Sequence, residues 1–163
     1  MTSSGCGLKI IGIAGIIFLL SACASKPPED VVLKGSMQAV ETVNPDGQGR
    51  PSPLVIKIYQ LQSKDKFDLA DFFALFDEAD ATLGADLLAV EDVMMTPGEV
   101  RPYEGAIDPT TRFIGVVGAY RDINQAQWKA VIPMPERNLM KFLQRGSLSI
   151  KAERLSISVS VDE

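Results

Sequence analysis

The 163-residue sequence contains no histidine, and its only cysteines are Cys6 and Cys23. Histidine is the commonest general base and metal ligand near neutral pH, so its absence argues against most hydrolases and metal-dependent enzymes. The chain also lacks the GxSxG motif of serine hydrolases and the glycine-rich loop that binds nucleotide phosphates. A carboxylate pair for glycoside hydrolysis stays open, but nothing singles out any pair among the 21 acidic residues. We therefore expect a protein that is not an enzyme and uses no metal or cofactor.

Basic residues are fewer than acidic ones. The chain has 16 lysines and arginines and 21 acidic residues, which gives a net charge of -5. A chain this acidic has no electrostatic attraction to phosphate backbones, so we expect no nucleic acid among its partners. No motif indicates a small-molecule substrate. The hydrophobic fraction of 46% is enough for the packed core of one ordinary domain.

The chain has one long apolar run, IIGIAGIIFLL at residues 10–20. It follows Lys9, the only charged side chain among residues 1–22. It is shorter than the roughly 20 residues that cross a bilayer. It fits the apolar region of a secretory signal, and residues 1–22 are therefore predicted to be a signal peptide. Cleavage by ordinary signal peptidase, with Cys23 incidental, and an uncleaved anchor are the alternatives.

The end of this run, LSAC at residues 20–23, resembles a bacterial lipobox. The resemblance implies that Cys23 carries a thioether-linked lipid and becomes the first residue of the mature chain. Several acyl chains give stable anchoring. Ala24, rather than aspartate, then implies sorting to the outer membrane, facing the periplasm. Residues 23–30 would form a short tether stiffened by two prolines, followed by a folded domain at 31–163.

Proline and glycine are concentrated in NPDGQGRPSP, residues 44–53, which excludes a regular element. This connection is long for a hairpin, and long loops in compact domains are often functional, although a harmless wide connection is the alternative. We expect Gly47 and Gly49 to adopt positive φ and the prolines to reduce the ordering cost of docking. The candidate binding residues are Asn44, Pro45, Asp46, Gly47, Gln48, Gly49, Arg50, Pro51, Ser52 and Pro53.

Alternation of apolar residues predicts seven or eight short strands, which is typical of a β-sandwich. Leu54, Ile56 and Ile58 share one face of the strand predicted at 54–62. Pro102 predicts an edge position or a bulge for its strand, and a slip of phase near Arg154 predicts a bulge or a turn. The predicted strand ranges are 31–43, 54–62, 87–95, 99–107, 112–123 and 126–134, with alternation again over 147–161.

A helical insertion is predicted at about 66–84. Leu69, Phe72, Phe73 and Phe76 fall at helical spacing and predict one buried face, with Asp68 as the N-cap. We expect this helix to end near Phe76 and a second helical turn, opening at Asp77, to close at Gly84. Trp128 is expected to be buried.

Three stretches in this order resemble one family: IKIYQL (56–61), ADFFALFDEADATLGADLL (70–88) and RFIGVVGAYRDINQAQWKAVIPM (112–134), with a TPGE turn (96–99) before the last. They are similar to the TssJ (SciN, VasD) family, outer-membrane lipoproteins of the type VI secretion system. The resemblance implies a mainly β, transthyretin-like two-sheet sandwich with a helical insertion and a protruding loop between the first two strands.

The resemblance also implies a function without catalysis. The protein would bind the periplasmic domain of the inner-membrane protein TssM, and through it TssL, and so link both to the outer membrane. The loop Asn44–Pro53 would be the TssM contact.

Other functions are compatible with the residues alone. A pilotin-like or other envelope-assembly lipoprotein would share the lipid anchor. A glycan-binding sandwich would need exposed aromatic residues on one strand face, for which only Trp128, Tyr59, Tyr103 and Tyr120 are available. A secreted hydrolase is disfavoured by the absence of histidine.

Overall fold

The computed structural model describes residues 31–135 and 146–162, together with Met1. The tether and Cys23 lie outside the described residues, as does all of the predicted signal peptide except Met1. Within the described ranges, no helix combines the length and apolar character needed to cross a membrane.

Eight strands in the described ranges form two four-stranded sheets, which confirms the predicted two-sheet sandwich. Sheet A has the order β4-β1-β7-β8, and sheet B has the order β3-β2-β5-β6. The strands are β1 (Val31–Ala39), β2 (Leu54–Leu61), β3 (Leu87–Met95), β4 (Val100–Ile107), β5 (Phe113–Gly118), β6 (Lys129–Pro133), β7 (Ser147–Ala152) and β8 (Ile157–Asp162).

Strand β2 shows how alternation builds the core. Leu54, Ile56 and Ile58 are almost fully buried between the sheets, as predicted, because alternate side chains of a strand point to opposite faces. Tyr59 points to the outer face of sheet B, yet it is also buried, and its hydroxyl donates to the Leu75 carbonyl at 2.8 Å. The outer face of sheet B is therefore covered at this point by the helical insertion.

Strand β5 is central in sheet B, between β2 and β6, as its continuous apolar run predicts. Its outer face is covered by Phe67, whose ring lies so close to Gly115 that a Cβ there would approach ring carbons to 2.8 Å. Glycine at this position is thus required by close packing rather than by backbone conformation. The strand spans only 113–118 of the predicted 112–123.

Strand β1 ends at Ala39, earlier than the predicted end at residue 43, because residues 41–42 form a turn. It pairs antiparallel with β4 and parallel with β7. The edge position predicted from Pro102 is confirmed, since β4 borders sheet A. The phase slip near Arg154 is a turn that joins the antiparallel strands β7 and β8.

The helical insertion consists of three five-residue helices, α1 (Asp65–Leu69), α2 (Phe72–Phe76) and α3 (Ala79–Leu83), followed by a 3-10 turn at Gly84–Asp86. The predicted breaks at Phe76 and Gly84 are confirmed. The single helix through Phe76 with Asp68 as N-cap is wrong, because Asp71 caps a new helix by accepting from the Ala74 N–H at 2.9 Å.

The break at Asp71 changes which insertion side chains are buried. Asp71 has an extended backbone, with φ of -77° and ψ of 175°, so the residues on either side share no helical frame. Leu69 is 89% exposed and Phe73 is 61% exposed, which corrects the prediction of a single buried stripe. Phe72 and Phe76 stack on each other at 5.1 Å and pack on the smaller hydrophobic cluster of the domain.

The start of β1 and the loop 44–53 lie at opposite ends of the sandwich. Val31 pairs with Ile107, and Gln60 joins the sheets at the same end by donating to the Ala106 carbonyl at 2.7 Å. Strand β1 runs from this end to the other over nine residues, or roughly 30 Å at about 3.3 Å per residue. The chain therefore enters the described domain at one end and reaches the loop 44–53 at the opposite end.

Candidate partner-binding site

The loop between β1 and β2 is fixed at its base by Asn44, which is 3% exposed. Its Oδ1 accepts from the Arg121 N–H at 2.8 Å, and its Nδ2 donates to the Pro53 carbonyl at 2.7 Å. Its own backbone N–H donates to the Arg154 carbonyl at 3.1 Å. Asn44 also has a φ of 50°, a conformation that asparagine tolerates better than most residues. One buried side chain thus joins both limbs of the loop to the neighbouring β5–β6 loop.

The tip of the loop is organised by Asp46. One carboxylate oxygen accepts from the backbone N–H groups of Gln48 (2.8 Å) and Arg50 (3.0 Å), and the other accepts from Nε of Arg50 at 2.8 Å. These bonds hold the pKa of Asp46 below its usual value, with the Arg50 backbone N–H as the largest cause. The loop is therefore a defined structure with its own hydrogen bonds.

The ten predicted site residues divide into a buried base and an exposed surface. Asn44 and Ser52 are buried, and Pro45 and Asp46 are half-buried. Gly49 has a φ of 78°, as expected, but Gly47 does not have positive φ. The reason is that the Asp46 carboxylate, by bonding to the Gln48 N–H, turns the chain without a left-handed residue at 47. The exposed residues are Gly47, Gln48, Gly49, Arg50, Pro51 and Pro53.

A depression of about 460 Å³ lies beside the loop. Pro45, Asp46 and Gly47 form one wall, and the other walls come from the β5–β6 loop and the β7–β8 turn, including Arg121 and Arg154. No local sequence pattern indicates this arrangement, because the loop wall lies 74 or more positions from the residues of the other two walls. Pairing of Ala39 with Ala152 is what brings the β7–β8 turn to the loop.

In the ranges that the structure describes, Trp128 and the three tyrosines do not form the exposed stacking surface that a glycan-binding site needs. Tyr59, Tyr103 and Tyr120 are buried. Trp128, expected to be buried, is half-buried and packs edge-on against Phe72 at 5.4 Å between ring centres. In the part of the chain that the structure describes, no group of three or more acidic or cysteine side chains is arranged to hold a metal ion.

Comparison with protein families gives one match that spans most of the chain. The family described as type VI secretion lipoprotein (T6SS-SciN, including VasD, EvfM and TssJ) matches residues 32–162. A search of curated proteins found no significant match.

Comparison with solved structures gives several similar chains. The type VI lipoprotein TssJ1 from Pseudomonas aeruginosa is 31% identical with a TM-score of 0.73, over 82% of this chain and 98% of that chain. Serratia marcescens Lip, described as a membrane bound component of the type VI secretion system, is 26% identical with a TM-score of 0.71, over 79% and 96%. A chain in a structure described as the TssM C-terminal domain from EAEC is 24% identical with a TM-score of 0.61, over 79% and 97%, and shows likeness of fold alone.

Proposed function

The chain belongs to the type VI secretion lipoprotein family, and from this premise we propose that it is an outer-membrane lipoprotein that binds the periplasmic domain of TssM. Its loop 44–53 makes the contact, and its lipid holds the complex, including TssL through TssM, at the outer membrane. The domain acts by binding and positioning, without catalysis.

The observation that carries this proposal is the placement of the loop relative to the chain entry. The tether would enter at Val31, and the loop lies at the opposite end of β1. A lipid on Cys23 would thus leave the loop facing away from the membrane. Eight residues from Cys23 to Asp30, with two prolines, keep the domain close to that surface.

The structure of the loop supports a binding role. Asn44 and Asp46 hold it in one conformation before any partner arrives, so little conformational entropy is lost on docking. Its exposed residues include two positions, Gly47 and Gly49, that allow close backbone approach because glycine has no Cβ. A preformed, exposed loop on a rigid sandwich is a common way to present a recognition surface.

The comparisons support the choice of partner. Serratia marcescens Lip is described as membrane bound. A chain of the same fold is present in a structure whose description names the TssM C-terminal domain. We propose TssM as the partner of this chain on that basis, together with the resemblance found in the sequence.

The test is recovery of TssM with the tagged full-length chain from native envelopes, beside Cys23→Ser. We expect both forms to recover TssM in detergent, while only the form with Cys23 fractionates with the outer membrane. Recovery of no TssM by a normally lipidated chain would overturn the proposed function and favour another envelope-assembly role. Outer-membrane fractionation of Cys23→Ser would overturn the lipid assignment.

A further inference from the structure

Two arginines border the depression beside the loop. Arg121 follows β5, and Arg154 lies in the β7–β8 turn, and the side chains of both are exposed. Within residues 31–135 and 146–162, no carboxylate lies within 4.0 Å of either guanidinium, although six other ion pairs form there. Two guanidinium groups that form no ion pair within these ranges therefore border one concave surface of an acidic chain.

The backbones of both arginines are held firmly. The Asn44 side chain accepts from the Arg121 N–H, and the Asn44 N–H donates to the Arg154 carbonyl. Buried Tyr120 adds a second connection, since its hydroxyl lies 2.5 Å from the Ser156 carbonyl and 3.2 Å from that of Glu153. The guanidinium groups thus extend from a fixed frame, which lowers the entropy lost when they bind a ligand.

The acidic residues of the depression are already engaged. Asp46 is held by Arg50 and by two backbone N–H groups. Asp122 accepts from the side-chain amide of Gln125 at 2.8 Å, within its own loop. The charge of Arg121 makes a minor contribution to the lowered pKa of Asp46, but in the described residues neither carboxylate forms an ion pair with Arg121 or Arg154. Both guanidinium groups are therefore open to direct contact with an incoming anion.

We infer that the Arg121–Arg154 depression binds a carboxylate side chain of the partner that docks on the loop, in addition to the loop contact itself. This inference rests on the proposed function. A carboxylate matches the forked geometry of guanidinium groups. An anionic lipid headgroup is a poorer occupant, because the depression lies at the end of the sandwich opposite Val31, where the tether would enter.

The test compares the affinity of the full-length chain in detergent for the TssM periplasmic domain before and after charge reversal. Arg121→Glu/Arg154→Glu is expected to weaken binding about tenfold or more at low salt and to reduce the dependence of affinity on salt. Arg112→Glu is the control for each of the single reversals Arg121→Glu and Arg154→Glu, since Arg112 is exposed at the opposite end of the domain and all three single variants make the same change of charge. If the charge reversal lowers the melting temperature, Arg121→Gln/Arg154→Gln is used for the same measurement, because it removes both positive charges without adding carboxylates.

The outcomes separate this inference from the proposed function. Absence of TssM binding by the unsubstituted chain would overturn the proposed function and the inference with it. Binding by the unsubstituted chain that is unchanged in both double variants would overturn the inference alone. A loss of affinity in Arg121→Glu and Arg154→Glu no larger than that in Arg112→Glu would show a general charge effect and would also overturn the inference. Preferential binding of the Cys23→Ser chain to anionic over neutral vesicles that depends on Arg121 and Arg154, with TssM binding unchanged, would assign the depression to a lipid headgroup and overturn the inference as well.

Discussion

The carboxamide of Asn44 accepts a hydrogen bond from the backbone N–H of Arg121 at 2.8 Å, across 77 positions of sequence. This bond joins the base of the proposed binding loop to the end of the central strand of sheet B. The order of the loop therefore depends on the sandwich itself, and substitutions at its base have consequences different from those at its tip.

Substitution of Asn44 tests the base. Asn44→Ala leaves the Arg121 N–H and the Pro53 carbonyl without their partner, at about 1–3 kcal/mol for a buried unsatisfied group. Alanine is also strained at a φ of 50°, whereas glycine is not. We expect urea denaturation to show that both variants are destabilised, with Asn44→Gly less so. Equal stability of all three proteins would contradict a structural role for the side chain.

Acid titration tests whether the ionised carboxylate of Asp46 orders the tip of the loop. The pKa of Asp46 is lowered from 3.8, chiefly by the Arg50 backbone N–H, because that bond favours the ionised carboxylate. A lowered pKa means that the carboxylate's contribution to loop order is fully present above pH 3.8 and is lost as the pH falls through the lower folded value. We expect the amide NMR signals of Gln48 and Arg50 to be constant at neutral pH and to move together below pH 3.8.

The matched variant for this titration is Asp46→Asn. It should shift the same two amide signals at neutral pH and remove their movement at low pH, while signals of sheet A stay in place. Movement of these signals centred well above pH 3.8 would show that another group controls the loop.

Substitution of Gly115 tests the packing of the insertion on sheet B. A Cβ at Gly115 would lie 2.8 Å from the Phe67 ring, so Gly115→Ala forces the ring or the strand to shift, at about 1–3 kcal/mol. Gly47→Ala is the control, because nothing lies within 4 Å of its Cβ position. In a Phe67→Ala background, the added methyl should cost much less. A similar cost in both backgrounds, measured by urea denaturation, would place the strain elsewhere.

Much of the fold follows from local pattern. The alternation of Leu54, Ile56 and Ile58 predicts β2 because burial between two sheets imposes a period of two. The Pro102 edge position follows from the missing N–H of proline. Local sequence cannot reveal the parallel pairing of β1 with β7, because the paired residues are 113 positions apart and are brought together only by the assembled sheet.

The helical insertion and the candidate site depend more strongly on contacts that local sequence patterns do not predict. The spacing of Leu69 and Phe73 fits one helix face, but a side-chain cap by Asp71 restarts the helix and leaves both exposed. Proline and glycine content predicts the loop, yet nothing local marks Asn44 as its clamp or brings Arg121 and Arg154 to one depression. Those relationships depend on long-range register.

The loop tip is the proposed contact with TssM. Calorimetric titration of the full-length chain in detergent with the TssM periplasmic domain tests it, using a variant with residues 47–50 replaced by Ser-Gly-Gly-Ser. The control replaces Pro109 and Thr110, which are exposed at the opposite end of the domain, by serine. We predict that the loop variant loses about tenfold or more in affinity at an unchanged melting temperature, while the control binds normally. Equal affinity of all three proteins would contradict TssM binding by the loop tip.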